Sequence, residues 1–243
     1  MNIDENLHDS FYENKDENFK HALNMCEQSF SHKELKFMLK EGNIPQRQYA
    51  AMVFDSIEDD SDINVLLSNL TGCDGKIREA VAGKINEFLK ANINLRSKFS
   101  KYSGEVFADA TIDINANICR LVIDSAVLLK QHSDFTKIYV NKILNYTNQS
   151  FDELDKFIFR DKKYVINKQL FKLYWCLEAL KYFADCADEK ILHKILEKSI
   201  SQKEYTIREK AAEIIVKNSI CPELLTKLKK DDNYYVRQAA LYH

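Results

Sequence analysis

Apolar residues return at helical spacing along most of this chain. Between Glu204 and Asn218, Ile207, Ala211, Ile214 and Ile215 fall at i, i+4, i+7 and i+8, one face of an amphipathic helix, with Arg208, Glu209, Lys210 and Glu213 mostly elsewhere. The same reading predicts helices over Asp62 to Asn69, Lys76 to Ala91, Leu95 to Phe107 and Ile114 to Gln131. It continues with Phe135 to Tyr146, Tyr164 to Ala184, Glu189 to Ser199, Pro222 to Lys230 and a last helix from about Tyr235. Ser31-His32-Lys33-Glu34 reads as a capping box, Gly42 as the stop of that helix, and Pro45 as the opening of the next. Ser150-Phe151-Asp152-Glu153 reads as another capping box, opening a short helix toward Phe159.

Part of that opening stretch repeats. A polar residue followed three and four positions later by small or apolar residues occurs at Arg208, Arg237, Arg78 and Arg47, and in weaker form at Asn115 and Asn167. Steps of 31, 37, 52, 41 and 29 residues separate these six positions in chain order. They bracket the length of a helix-pair repeat, about 33 to 47 residues, and the long step implies an insertion near 147–163.

The Val/Ile-Arg-x-x-Ala-Ala phrase resembles the opening of the second helix in HEAT-repeat proteins. Asp74 before Arg78, and Asp231 and Asp232 before Arg237, resemble the inter-helix turn of that family, whose aspartate pairs with the arginine of a neighbouring repeat. The resemblance covers residues 31–243. It implies an all-α, right-handed α-solenoid of about six helix pairs, preceded by an acidic arm over residues 1–30 that is partly disordered and carries a capping helix. Asn115 and Asn167 cannot form an ion pair, so the implied Arg–Asp ladder is interrupted in the middle.

Composition agrees with helices: the chain has only five Gly and two Pro in 243 residues, too few for the turns of a sheet protein. Charge is uneven, near −8 over residues 1–62 and +6 over the remainder. No run reaches the roughly 18 apolar residues of a membrane span, and the N-terminus lacks a signal-peptide pattern. The expected location is therefore cytoplasmic. Cys26, Cys73, Cys119, Cys176, Cys186 and Cys221 are scattered without a C-x-x-C pair and read as core thiols, so neither a metal nor another cofactor is expected. Glu58-Asp59-Asp60-Ser61-Asp62 lacks the spacing and glycine of a calcium loop and reads as a helix-capping turn.

No catalytic residue emerges. The six histidines form no H-E-x-x-H and no His-Glu pair, which excludes the di-iron site of the HEAT-repeat deoxyhypusine hydroxylases, and no phosphate-cradling or nucleophile-elbow glycine motif occurs. The candidate binding feature lies on the Tyr164 to Ala184 helix. Tyr164, Phe171, Trp175 and Tyr182 fall within about 40 degrees of one another at about 100 degrees per residue, and Lys168 and Lys172 flank them. Such a row fits a partner-binding surface for a protein or peptide. Burial under the inserted segment, or stacking of nucleic-acid bases, would use the same residues. The expected function is a non-enzymatic protein-interaction scaffold; the alternative is a nucleic-acid binder resembling the HEAT-like alkylpurine DNA glycosylases.

Overall fold

The computed structural model of the chain describes residues 15–154 and 168–241. Among them are fourteen α-helices, one short 3-10 turn and no strand, and no helix is long and apolar enough to cross a membrane. Two compact units divide the chain: Met1–Ala110 with Asn115–His132, and Thr111–Ile114 with Ser133–His243.

The first unit holds α1 (Lys15–Cys26), α2 (His32–Glu41), α3 (Ile44–Val53), α4 (Asp60–Leu70), α5 (Gly75–Ala91), α6 (Ile93–Phe99), α7 (Gly104–Thr111) and α8 (Ala116–Leu129). Here α1, α3, α5 and α8 stack in sequence as one layer, and α2 and α4 pack together in the other. The second unit holds α9 (Ser133–Leu154), α10 (Lys168–Phe183), the turn Ala184–Cys186, α11 (Glu189–Ile200), α12 (Tyr205–Asn218), α13 (Pro222–Leu228) and α14 (Tyr234–Ala239). Its layers are α10, α12 and α14 on one side and α9, α11 and α13 on the other. The chain is thus an all-α repeat of helix pairs, and within each unit the second helices share one layer.

Arginine locks the repeats. Arg47, Arg78, Arg208 and Arg237 are each the fourth residue of α3, α5, α12 and α14. Each turns back to donate to carbonyls of the preceding turn: Arg78 to Gly72 and Cys73 at 2.8 Å, Arg208 to Gln202 and Lys203 at 2.9 and 2.8 Å, Arg237 to Asp231 and Asp232 at 2.6 and 2.9 Å, and Arg47 to Gly42 at 2.8 Å. These carbonyls close a helix-to-helix connection, where backbone oxygens lack helical partners. Three and four residues on, Ala50 and Ala51, Val81 and Ala82, and Ala211 and Ala212 are all buried, so the second helices approach closely.

Asn115 does not occupy the arginine position, contrary to its alignment with the motif. It is the N-cap of α8, its side chain accepting from the Asn117 backbone N–H at 2.9 Å. That makes it the counterpart of Asp74 and Asn233, the N-caps of α5 and α14, and puts Cys119 fourth in the helix. Buried Ile118, Val122 and Ile123 confirm the shifted register. Asn115 also donates to Glu79 at 3.0 Å, so a neutral amide links α8 to α5. Asn167 lies outside the described residues.

Three other expectations change. Leu95 to Phe107 is not one helix, because the turn before Gly104 separates α6 from α7. Ser150 opens nothing: α9 runs unbroken to Leu154, with Ser150 and Phe151 buried inside it, because the buried face of Tyr139, Ile143, Leu144 and Thr147 continues to Phe151 across polar Asn148 and Gln149. The expected continuation to Phe159, and the first residues of the Tyr164 helix, lie outside the described residues. Finally, only Cys119 and Cys176 are buried thiols; Cys26, Cys73 and Cys186 are exposed and Cys221 is half-buried.

Candidate interaction surface

The expected aromatic row is partly a packing feature. Tyr164 lies outside the described residues. Trp175 is only 6% exposed and meets Phe171 and Tyr174 edge-on, at 6.2 and 5.3 Å between ring centroids. Phe171 is half-buried, as are Lys172 and Tyr182, while Lys168 is exposed. Behind them, Leu173, Cys176, Leu177 and Leu180 form the apolar side of α10, and burial pushes the Cys176 thiol up to about 12.

A second stripe of α10 carries the chemistry. Tyr174, Glu178, Lys181 and Tyr182 follow i, i+4, i+7 and i+8, and on α12 Lys210, Glu213 and Lys217 follow i, i+3 and i+7. Because α10 and α12 are neighbours in one layer, the stripes meet. Four of their five charges form a closed ring: Lys181 bridges Glu178 at 2.7 Å and Glu213 at 2.9 Å, and Lys210 bridges the same two carboxylates at 2.7 and 2.9 Å. Tyrosines stand at either end. The Lys210 ammonium lies 5.0 Å from the Tyr174 ring centre; Lys217 and Lys181 lie 3.6 and 5.2 Å from that of Tyr182.

Lys210, Lys181 and Glu178 are held in their charged forms. Burial alone would lower the Lys210 pKa, but hydrogen bonds to Glu178 and Glu213 raise it well above the ordinary lysine value. The same opposition raises Lys181. Burial would raise Glu178, yet the two ammoniums hold it below the ordinary carboxylate range. Glu209, beside the ring, is raised, first by burial and then by the charge of Glu213. Asn218 adds a neutral tie, donating to the Lys181 carbonyl at 3.2 Å and to that of Ile214 at 2.9 Å.

Further along the same layer three tyrosines stack in the open. Tyr205, in the first turn of α12, stacks on Tyr235 of α14 at 6.0 Å with the ring planes inclined by 28°, and Tyr234 meets Tyr235 edge-on at 5.6 Å. They are 37, 57 and 58% exposed respectively. The row placed on α10 by periodicity thus contributes Tyr182 to this surface, whereas the ionic ring and the tyrosine stack were not anticipated. The local pairs Glu178–Lys181 and Lys210–Glu213, both at i, i+3, were the available signal. Their cross-pairing depends on the relative phase of two helices.

In the first unit Asp62, His32 and Ser56 line up, with His32 Nε2 3.2 Å from Asp62 and His32 Nδ1 3.3 Å from the Ser56 hydroxyl. This resembles a nucleophile chain but has another use for its carboxylate. The Lys36 ammonium sits 2.8 Å from the Asp62 oxygen that faces His32, and the backbone N–H groups of Glu58 and Asp59 donate to the other oxygen. Asp62 therefore completes the capping box of α4, as expected of the acidic turn, and ties α2 to α4.

No family model matches the sequence, and no curated protein matches it. Solved structures do. Over 88% of this chain and 79% of its own, an archaeal HEAT-like repeats protein from Thermococcus onnurineus superposes with a TM-score of 0.47 at 14% identity. A designed armadillo repeat protein covers 86% of this chain and 97% of its own, with a TM-score of 0.48 at 10% identity. Computationally designed armadillo repeat proteins for modular peptide recognition match with the same coverage and a TM-score of 0.47 at 10% identity.

Proposed function

We propose that the chain is a non-enzymatic interaction scaffold that binds a protein or peptide across the second-helix layer of its second unit. The observation that supports this most is the charged and aromatic ring spanning α10 and α12. Helix packing does not require it: the apolar sides of both helices already bury Leu173, Leu177, Leu180, Ile207, Ile214 and Ile215. Drawing four charges partly out of water adds little net stability over an apolar alternative. What such a ring does supply is order. Side chains already fixed by mutual ion pairs lose little conformational entropy on binding, and tyrosines are the side chains on which interfaces concentrate their energy.

Charge balance favours a protein over a nucleic acid. Two lysines and two glutamates cancel in the ring, so it offers no net positive charge to a phosphate backbone. Trp175 is packed against Phe171 and Tyr174 and would have to leave them to stack on a base. The six thiols, none in a disulfide, support a reducing location such as the cytoplasm.

Selection of phage-displayed peptides on the immobilised full chain tests the proposal. Enriched peptides should bind the wild type and lose affinity at least about tenfold on a Tyr174→Ala/Tyr182→Ala variant with unchanged circular dichroism. Peptides that bind both proteins equally would argue against this surface. Tight binding of single-stranded DNA that collapses with salt would argue for the nucleic-acid reading instead.

A further inference from the structure

On the opposite layer of the second unit, three different metal-ligand types converge. The His193 ring of α11, the Cys221 thiol and the Glu223 carboxylate at the start of α13 place their donor atoms within 4.8 Å of one another. His193 Nε2 is already 3.0 Å from Glu223 Oε1. A tetrahedral zinc ion with Zn–S of about 2.3 Å and Zn–N or Zn–O of about 2.0 to 2.1 Å sets its ligand atoms roughly 3.3 to 3.6 Å apart. The cluster is therefore within about 1.5 Å of that spacing, a distance that rotation of exposed and half-buried side chains covers.

Two further features point the same way. His193 Nδ1 faces Glu197, one turn on in α11, at 3.6 Å. A carboxylate on the far ring nitrogen is the arrangement that fixes the tautomer of a metal-binding histidine and raises its basicity. Cys221 is also held in an unusual backbone conformation, φ 49 and ψ 56, although it is not glycine and immediately precedes Pro222, a position that favours extended backbone. Left-handed backbone is disfavoured for a non-glycine residue, and the side chain makes no cap hydrogen bond to α13 in return. Strain of this kind gathers at sites with a use for it.

We infer that His193, Cys221 and Glu223 form a zinc site joining α11 to α13, with solvent completing the coordination. The surrounding charge fits a divalent cation. The carboxylates of Glu189 and Glu197 add negative charge around Cys221. On zinc binding the Zn–S bond forms as the thiol proton leaves to solvent, and the His193–Glu223 hydrogen bond gives way to two metal bonds. No electron is transferred. The borderline-soft donor set of thiolate, imidazole and carboxylate selects zinc over magnesium or calcium.

Cobalt(II) is the probe, because it takes zinc sites and reports its ligands. The full chain, stripped with chelator under reducing conditions, is titrated with Co2+ and then with Zn2+. One equivalent should give a thiolate-to-cobalt charge-transfer band in the near ultraviolet, displaced by one equivalent of zinc. Cys221→Ser should abolish that band, and His193→Gln should weaken metal binding at least about tenfold, both with unchanged circular dichroism. Cys186→Ser, which removes an exposed thiol elsewhere, should leave the band intact. Absence of a thiolate band, or a band that survives Cys221→Ser, overturns the inference.

Discussion

Arg208 and Asp231 meet in a two-pronged ion pair, with Nε and one terminal nitrogen donating to the two carboxylate oxygens at 2.8 and 2.9 Å. The arginine opens α12 and the aspartate lies in the turn before α14, so the pair joins one repeat to the next. The guanidinium of Arg208, helped by the Asn233 backbone N–H, holds the Asp231 carboxyl at about 2 from an ordinary 3.8.

Asp231→Asn should therefore destabilise the chain by about 1 to 3 kcal/mol at neutral pH, the range for a hydrogen-bonded charge that loses its partner. The folded pKa is depressed, so this contribution is fully present above the unfolded value near 4 and is lost as pH falls toward about 2. Urea unfolding of wild type and variant from pH 7 to pH 2 should show two midpoints that converge below pH 4.

The ionic ring should behave as one unit. Glu178→Gln leaves Lys181 and Lys210 sharing a single carboxylate and should cost about 2 to 3 kcal/mol, toward the lower end for a broken buried pair because each partner keeps some solvent access. A double-mutant cycle of Glu178→Gln with Lys210→Met should return a coupling of about 1 to 3 kcal/mol. Additive effects would show that the four charges act separately.

Much of this was legible along the chain. The arginine positions could be read because Arg47, Arg78, Arg208 and Arg237 share one job, closing a turn whose carbonyls lie five to seven residues back, and one local geometry serves all four. Asn115 escaped because a polar residue next to Ile114 satisfies the pattern equally well at the N-cap and four residues deeper. Helix ends that depend on a single turn, as between α6 and α7, were blurred for the same reason. The two cross-helix pairs of the ring, Lys181–Glu213 and Lys210–Glu178, each join residues 32 positions apart, and the His193 cluster joins residues about 30 apart. Neither follows from periodicity, which orients each helix without phasing it against its neighbour.

Close approach of the second helices should make the small pairs intolerant of size. Ala211→Leu inserts a branched side chain where α12 packs against its neighbours and Ala211 is fully buried. The expected loss is about 1 to 3 kcal/mol from overpacking, read as a lower melting temperature by circular dichroism.

Trp175 is the only tryptophan in the chain and so a direct reporter of its surroundings. Its packing predicts blue-shifted emission protected from iodide. Trp175→Ala should cost about 3 to 5 kcal/mol through the cavity it leaves, whereas Trp175→Phe should cost less because the indole N–H has no hydrogen-bond partner among the described residues. Red emission freely quenched by iodide would place the ring in solvent.

The central claim is that α10 and α12 together make the binding surface, and hydrogen exchange with a selected peptide tests it most directly. Exchange measured by mass spectrometry, with and without saturating peptide, should slow over residues 168–183 and 205–218. Protection confined to other helices, with these two unchanged, would contradict the account.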